Sequence, residues 1–275
     1  MNIKNPHGKG RVTTSRTDSV ALRRFDGKTA LVTGAAMGLG AEIAKRLAHE
    51  GARLLVADID ASKGQQLATA LAGGGHVFLE ADLGRTDSAA QLAEQAAAAV
   101  DGLDVLVNNA GIVRPARFEE ISDEDWELQV AVNLRAPLLL TKALLPLLRD
   151  RGAAIVNVSS EAGFRPRSSK TIYDTTKAGI GGLTRSLAAE LWQYRIRVNE
   201  VAPGGMVTEM HFASASDPAA TKRQLEDAEL DEGYNIMRRL GRPAEVAAAV
   251  AFLASDDAAF ITASTLHVDG GMGLG

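Results

Sequence analysis

TGAAMGLG, residues 33–40, follows directly on the apolar run Ala30-Leu31-Val32 and leads into the Ala-rich stretch AEIAKRLAHEG. Three glycines within eight residues mark a tight turn from a buried strand into a helix. Such a turn sets the free N–H groups and positive dipole end of the helix at the carboxyl edge of a sheet, where bare backbone lets a pyrophosphate approach. The spacing is Gly34-x3-Gly38-x-Gly40 rather than GxGxxG. The turn alone therefore leaves a ligand-free left-handed turn equally open.

Outward from this turn the pattern repeats. The runs TALVTG, RLLVAD, HVFLEAD, DVLVNNAG, AAIVNVSS, RIRVNEVAPG and STLHVDGG are close to continuously aliphatic, as expected of parallel strands buried on both faces. Stretches rich in Ala and Leu with helical spacing lie between them, several ending at Gly. This alternation predicts one α/β domain over 25–275, a doubly wound, Rossmann-type, seven-stranded parallel sheet with helices on both faces. Residues 1–24 read as a flexible basic extension with Lys4, Lys9, Arg11, Arg16, Arg23 and Arg24 against Asp18 alone, and they are assigned no role. The polar, mixed-sign stretch around 204–241 is too long for a simple connection and reads as a substrate lid.

Bulk properties exclude several classes. The 275 residues are 46% hydrophobic and carry a net charge of −4, so nothing draws the chain toward nucleic acid or anionic membrane. No apolar run reaches the roughly 18 residues that span a bilayer. The absence of cysteine rules out disulfides and thiolate metal sites and is compatible with a reducing, cytoplasmic setting. No His/Asp/Glu cluster has metal-ligand spacing, so no catalytic metal is expected.

Asp58 ends the second strand eighteen residues after Gly40. A carboxylate there can accept hydrogen bonds from an adenosine ribose diol and would repel a 2′-phosphate. No Arg or Lys follows at once, since the chain continues Ile59-Asp60, so NAD is favoured over NADP. Farther along, Tyr173-Asp174-Thr175-Thr176-Lys177 opens a helix whose i and i+4 positions share a face. A neighbouring ammonium favours phenolate and lowers the tyrosine pKa from about 10, which makes a phenol usable as a general base or acid. Asp174, one residue on, is expected to point about 100° away, outward, with a minor effect. Ser160 ends the fifth strand at the same sheet edge, where its hydroxyl can hydrogen-bond a reacting oxygen.

With these residues in view, the sequence resembles the short-chain dehydrogenase/reductase family from Phe25 to the C-terminus. TGAAMGLG resembles its TGxxxGxG turn, Asn108-Asn109-Ala110-Gly111 its NNAG, and Ser160-x12-Tyr173-x3-Lys177 its catalytic constellation. The resemblance implies interconversion of a secondary alcohol and a ketone by hydride transfer with NAD(H). Tyr173 would act as general base or acid, Lys177 would lower its pKa and hold the nicotinamide ribose, Ser160 would steady the reacting oxygen, and Asn133 would hold a relay water. It implies dinucleotide contacts from Gly34, Met37, Gly38, Leu39, Gly40, Asp58, Ile59, Asp82, Leu83, Asn109, Ala110, Gly111, Tyr173, Lys177, Pro203, Gly204, Met206, Val207 and Thr208. It also implies a homotetramer, or a dimer, with helices 122–150 and 173–193 and the last strand at the contacts.

Substrate choice falls to the loops. Arg114, Arg117, Arg165, Arg167 and Lys170 are either forks for an anionic substrate group or solvated rim residues, and His211 and Tyr234 are either substrate contacts or loop surface. A catalytically silent dinucleotide-binding regulator or scaffold on the same fold is the alternative function. An epimerase or dehydratase would need a larger C-terminal substrate region than this length leaves.

Overall fold

Aliphatic runs with no polar face can only be satisfied when both faces are covered, and the chain solves this with layers. The computed structural model describes residues 22–166, 168–208, 216–228, 230 and 234–272. Seven strands form one sheet in the order β3-β2-β1-β4-β5-β6-β7. They are β1 (Thr29–Thr33), β2 (Arg53–Asp58), β3 (Val77–Glu80), β4 (Val105–Asn108), β5 (Ala154–Val158), β6 (Arg197–Pro203) and β7 (Thr265–Val268). Every pairing is parallel. The order reverses between β1 and β4, and that switch point places a crevice at the carboxyl ends of the strands.

Alternate strand residues feed two cores. Ala30, Val32, Leu54, Val56 and Val156 pack beneath α1 (Gly38–His49), α2 (Ala61–Ala70) and the last helix. Leu31, Leu55, Leu106, Ile155 and Val198 pack beneath α3 (Ser88–Ala99), α5 (Ala136–Leu148) and α6 (Thr171–Leu191). α5 continues α4 (Asp123–Val130) through one π-helical turn, Ala131–Arg135, where the Ala136 N–H reaches back five residues to the Ala131 carbonyl. The joined helix, Asp123–Leu148, is long and apolar enough to cross a membrane by length and composition, although no unbroken apolar run marks it in the sequence. Leu140, Leu144 and Leu148 have no exposed surface and make it a core helix.

Two boundaries differ from expectation. Residues 1–21 lie outside the described residues, but Arg24 belongs to the domain. Its guanidinium forks onto Glu50 at 2.6 and 2.9 Å and reaches Asp257 at 3.1 Å. Glu50 is itself 1% exposed, so the edge of the domain falls before Arg24. The stretch around 204–241 contains a helix not read from the sequence, α7 (Pro218–Asp227), started by Pro218 and by the Asp217 carboxylate capping Ala220 N. Its entry and exit are tied together: Val207 N donates to Gly241 O, and Gly241 N to Gly205 O, both at 2.9 Å. α8 (Pro243–Ala254) follows.

One register line across the sheet is polar. Asn108, Asn157, Glu200 and Thr265 stand side by side on β4, β5, β6 and β7. Asn108 donates to Asn157 at 2.8 Å, Asn157 to Thr184 of α6 at 2.9 Å, and Thr265 to Glu200 at 2.7 Å. The two asparagines are tolerated in the interior because they are hydrogen-bonded to each other and to Thr184.

Candidate active site

The glycine turn is shaped first by its own packing. Gly34 has φ +62°, and a Cβ on it would lie 2.8 Å from Ala110 Cα; a Cβ on Gly40 would lie 2.1 Å from the Gly34 carbonyl oxygen. Side chains are thus excluded where β1, the NNAG segment and α1 converge. Asn109 closes this junction, donating its side-chain amide to the Thr33 and Gly34 carbonyls at 2.9 and 3.1 Å, while Asn109 N and Ala110 N donate to Thr33 Oγ1.

These residues fit a dinucleotide. α1 follows Met37 with no side-chain cap and no acidic residue in its first turn, so its leading N–H groups and dipole are not taken up by a side chain of the helix itself. Asp58 stands at the tip of β2 and accepts from Ala36 N at 2.8 Å and Asp60 N at 3.0 Å, one bond per oxygen. Each oxygen keeps a lone pair, enough for a diol. Ile59 is 63% exposed and Met37 42%, an apolar flank for a flat base. Asp82 is exposed at the end of β3, its Oδ1 turned to Gly84 N, with Leu83 half-buried beside it. Gly204 N is bound to Val268 O, and Met206 and Val207 are buried at the far end of the same edge, with Thr208 half-buried beyond them.

α6 begins over this edge and brings the remaining groups together. The Ser160 hydroxyl lies near enough to the Tyr173 phenol to oppose the rise of its pKa, and Lys177 Nζ sits 5.7 Å from the centre of the Tyr173 ring. Lys177 is buried and donates to Val158 O at 2.9 Å. Burial drives its pKa down to about 8, against an opposing pull from Glu200. A Cβ on Gly111 would lie 3.2 Å from Nζ and 3.5 Å from Asn133 Oδ1, so the bare glycine leaves a gap between these two groups.

Asn133 lies in the π turn, a feature found often at functional sites. Its amide grips the loop after NNAG: Nδ2 donates to Ile112 O at 2.9 Å and to Thr176 Oγ1 at 3.1 Å, and Oδ1 accepts from Ile112 N at 2.8 Å. Only Oδ1 keeps capacity for a water. One turn earlier Gln129, fully buried, accepts from Arg114 N at 3.2 Å. Thr176 in turn donates to Tyr173 O at 2.8 Å. Gln129 and Thr176 were not singled out in the sequence; their only signal there is a polar residue at a position facing the site.

Two expectations are corrected. The Tyr173 phenol is pushed up rather than down, first by burial and then by the Asp174 and Glu161 carboxylates, against the Ser160 hydrogen bond. Asp174 is not outward but 6% exposed. The reason is that α6 is also covered at Lys177–Ala178, one turn on from Asp174 and on the same face. The short 3-10 turn Glu161–Gly163 packs so closely on it that a Cβ on Gly163 would lie 2.7 Å from Ala178 N.

Three of the five loop cations are engaged elsewhere. Arg114 donates to Asp125 at 2.9 Å, Arg117 pairs with Glu119, and Arg165 donates to the Met272 carbonyl. Tyr234 turns its hydroxyl to the place a Cβ on Gly205 would fill, at the base of the 204–241 stretch. Arg167 and His211 lie outside the described residues. Among the described residues, no cluster of three His, Asp or Glu is placed to hold a metal.

Comparison with known proteins matches residues 34–273 to the family model described as enoyl-(acyl carrier protein) reductase. The chain is 38% identical over 257 residues to the 2,5-dichloro-2,5-cyclohexadiene-1,4-diol dehydrogenase of Sphingobium indicum, covering 92% of this chain and 98% of the relative. A solved structure described as a short chain dehydrogenase/reductase family protein is 38% identical, with TM-score 0.79 over 92% of this chain and all of that one. A landomycin C-6 ketoreductase, solved with NADP and rabelomycin, is 31% identical with TM-score 0.78, covering 92% and 98% of the two chains.

Proposed function

Since the chain belongs to the short-chain dehydrogenase/reductase family of oxidoreductases, we propose that it interconverts a neutral secondary alcohol or diol and the corresponding ketone, with NAD(H) as coenzyme. When bound, the nicotinamide supplies the two-electron acceptor or donor; the chain supplies position and a proton path. Gly34, Gly38, Gly40 and the first turn of α1 hold the pyrophosphate, Asp58 the adenosine ribose, and Lys177 the nicotinamide ribose. Tyr173 takes the alcohol proton or returns it, and Ser160, close to that phenol, donates to the reacting oxygen. Asn133 acts mainly by fixing Ile112 and Thr176, with one lone pair facing the Gly111 gap for a relay water.

The observation that carries this reading is the convergence of Ser160, Tyr173 and Lys177 opposite an uncapped helix start. Asp58 supports NAD over NADP, because a 2′-phosphate would meet a carboxylate already fixed by two backbone N–H groups. The engaged arginines and the two carboxylates beside the phenol argue for an uncharged substrate. Exposed Leu138 on α5 and Trp192 at the end of α6 support association through these helices as a homotetramer.

Tyr173→Phe tests the proposal. It should lower kcat/KM for the best alcohol about 10³-fold while leaving NADH binding, followed by fluorescence, within a factor of a few. Oxidation at the wild-type rate would refute the role of the phenol. NADH binding without turnover of any alcohol or ketone would support the silent scaffold instead.

A further inference from the structure

Glu200 stands in the middle of β6 with no exposed surface. A buried carboxylate is costly unless its charge is matched. Its Oε2 accepts from Thr265 on β7 at 2.7 Å, while Oε1 is buried with no hydrogen-bond partner. On its β5 flank stands Asn157, whose amide is turned to Asn108 and Thr184 rather than to the carboxylate. Toward α6 the carboxylate faces Gly181, where a Cβ would lie 3.3 Å from Oε2.

The spacing along α6 gives this placement a meaning. Lys177, Gly181 and Arg185 follow at i, i+4 and i+8 and so share one helix face. Lys177 is the buried member, and Gly181, by lacking a side chain, lets the carboxylate approach the helix one turn below it. Arg185 lies on the solvent side, its Nη1 3.4 Å from that same Gly181 point.

We propose that Glu200 is a positioning residue, the buried counter-charge that keeps Lys177 an ammonium ion beneath the coenzyme. The inference rests on the reading above for its consequence in catalysis, but the approach of Glu200 to the α6 face that carries Lys177 is present without coenzyme. The ionisable groups around this pair are Tyr173 and Arg185 on α6, with Glu161 and Asp174 nearer the phenol. Of these, Arg185 is the one other cation near Glu200, and it is exposed. The attraction of Glu200 opposes the burial that drives protons off Lys177.

The test is Glu200→Gln, which keeps shape and the Thr265 partner but removes the charge. In coenzyme-free protein, unfolding stability should rise with pH as folded Lys177 sheds its proton. In Glu200→Gln the onset of that rise should move to lower pH by about one unit, the scale of a single nearby opposite charge. The alkaline limb of kcat/KM should move the same way. In a Lys177→Met background the Gln substitution should leave no such pH-dependent difference. A stability profile with the same onset in Glu200→Gln and wild type would overturn the proposal. So would a shift that persists in Lys177→Met, since Arg185 or the sheet would then be its cause. Failure of the proposed function gives a different result: the onset shifts while neither protein oxidises any alcohol.

Discussion

Replacing Lys177 by Met should stabilise the coenzyme-free protein while removing its activity. Lys177 is buried, and its pKa falls from 10.5 to about 8 on folding. Each unit is worth about 1.4 kcal/mol, so the folded chain carries a penalty of about 3 kcal/mol for holding this charge, net of the attraction to Glu200. Met loses the bond to Val158 O, which offsets about 1 kcal/mol. The expected gain is therefore about 2 kcal/mol at pH 7, or a rise of about 4–6 °C in melting temperature. The sign follows from linkage. Below pH 8 both states of the wild type hold the proton and the penalty is full; between about 8 and 10.5 the folded state loses its proton first, and wild-type stability climbs. Urea and thermal unfolding from pH 6 to 10 should show the variant ahead at neutral pH and its lead shrinking as pH rises. A variant less stable than wild type at pH 7, or a gap that does not change with pH, would refute the reasoning.

Other outcomes follow from single contacts. Asp58→Ala should weaken NAD binding about 10–100-fold in a fluorescence titration and narrow the preference against NADP. Asp174→Asn removes a carboxylate that raises the Tyr173 pKa, so the acid limb of kcat/KM for alcohol oxidation should move to lower pH. Gly40→Ala places a methyl 2.1 Å from a backbone oxygen that cannot move aside, and should cost about 2–3 kcal/mol in chemical denaturation. Arg24→Ala strands the buried Glu50 with Arg46 as its one remaining cation and should destabilise by about 2 kcal/mol, measured in the same way.

The strands were legible because a doubly covered sheet leaves a strong mark, aliphatic residues without a polar phase, and the seven runs fall on the seven strands. The carboxyl edge followed, since the glycine turn, Asp58, NNAG and Ser160 each follow or end such a run. What the sequence did not disclose depends on which chain segments cover which. Asp174 was read from helical phase alone, which assumes one buried face; the turn at Glu161–Gly163 gives α6 a second. Gln129, Thr176 and Glu200 are ordinary polar letters until the register lines them up with Arg114, Asn133 and Lys177. The loop arginines read as free cations because their partners, Asp125, Glu119 and the Met272 carbonyl, give no sign of pairing in one dimension. α7 does not stand out because Ala219, Ala220 and Leu225 are too few to form an apolar stripe; the Asp217-Pro218 start is its one signal.

The rungs joining Gly205 and Val207 to Gly241 act as a collar. Whatever the chain between them does, its two ends leave and re-enter the sheet at the same spot, so a change of length or composition there transmits little strain to Lys177 or the glycine turn. A stretch exchanged between these two rungs would be held at its base by the same pair of hydrogen bonds.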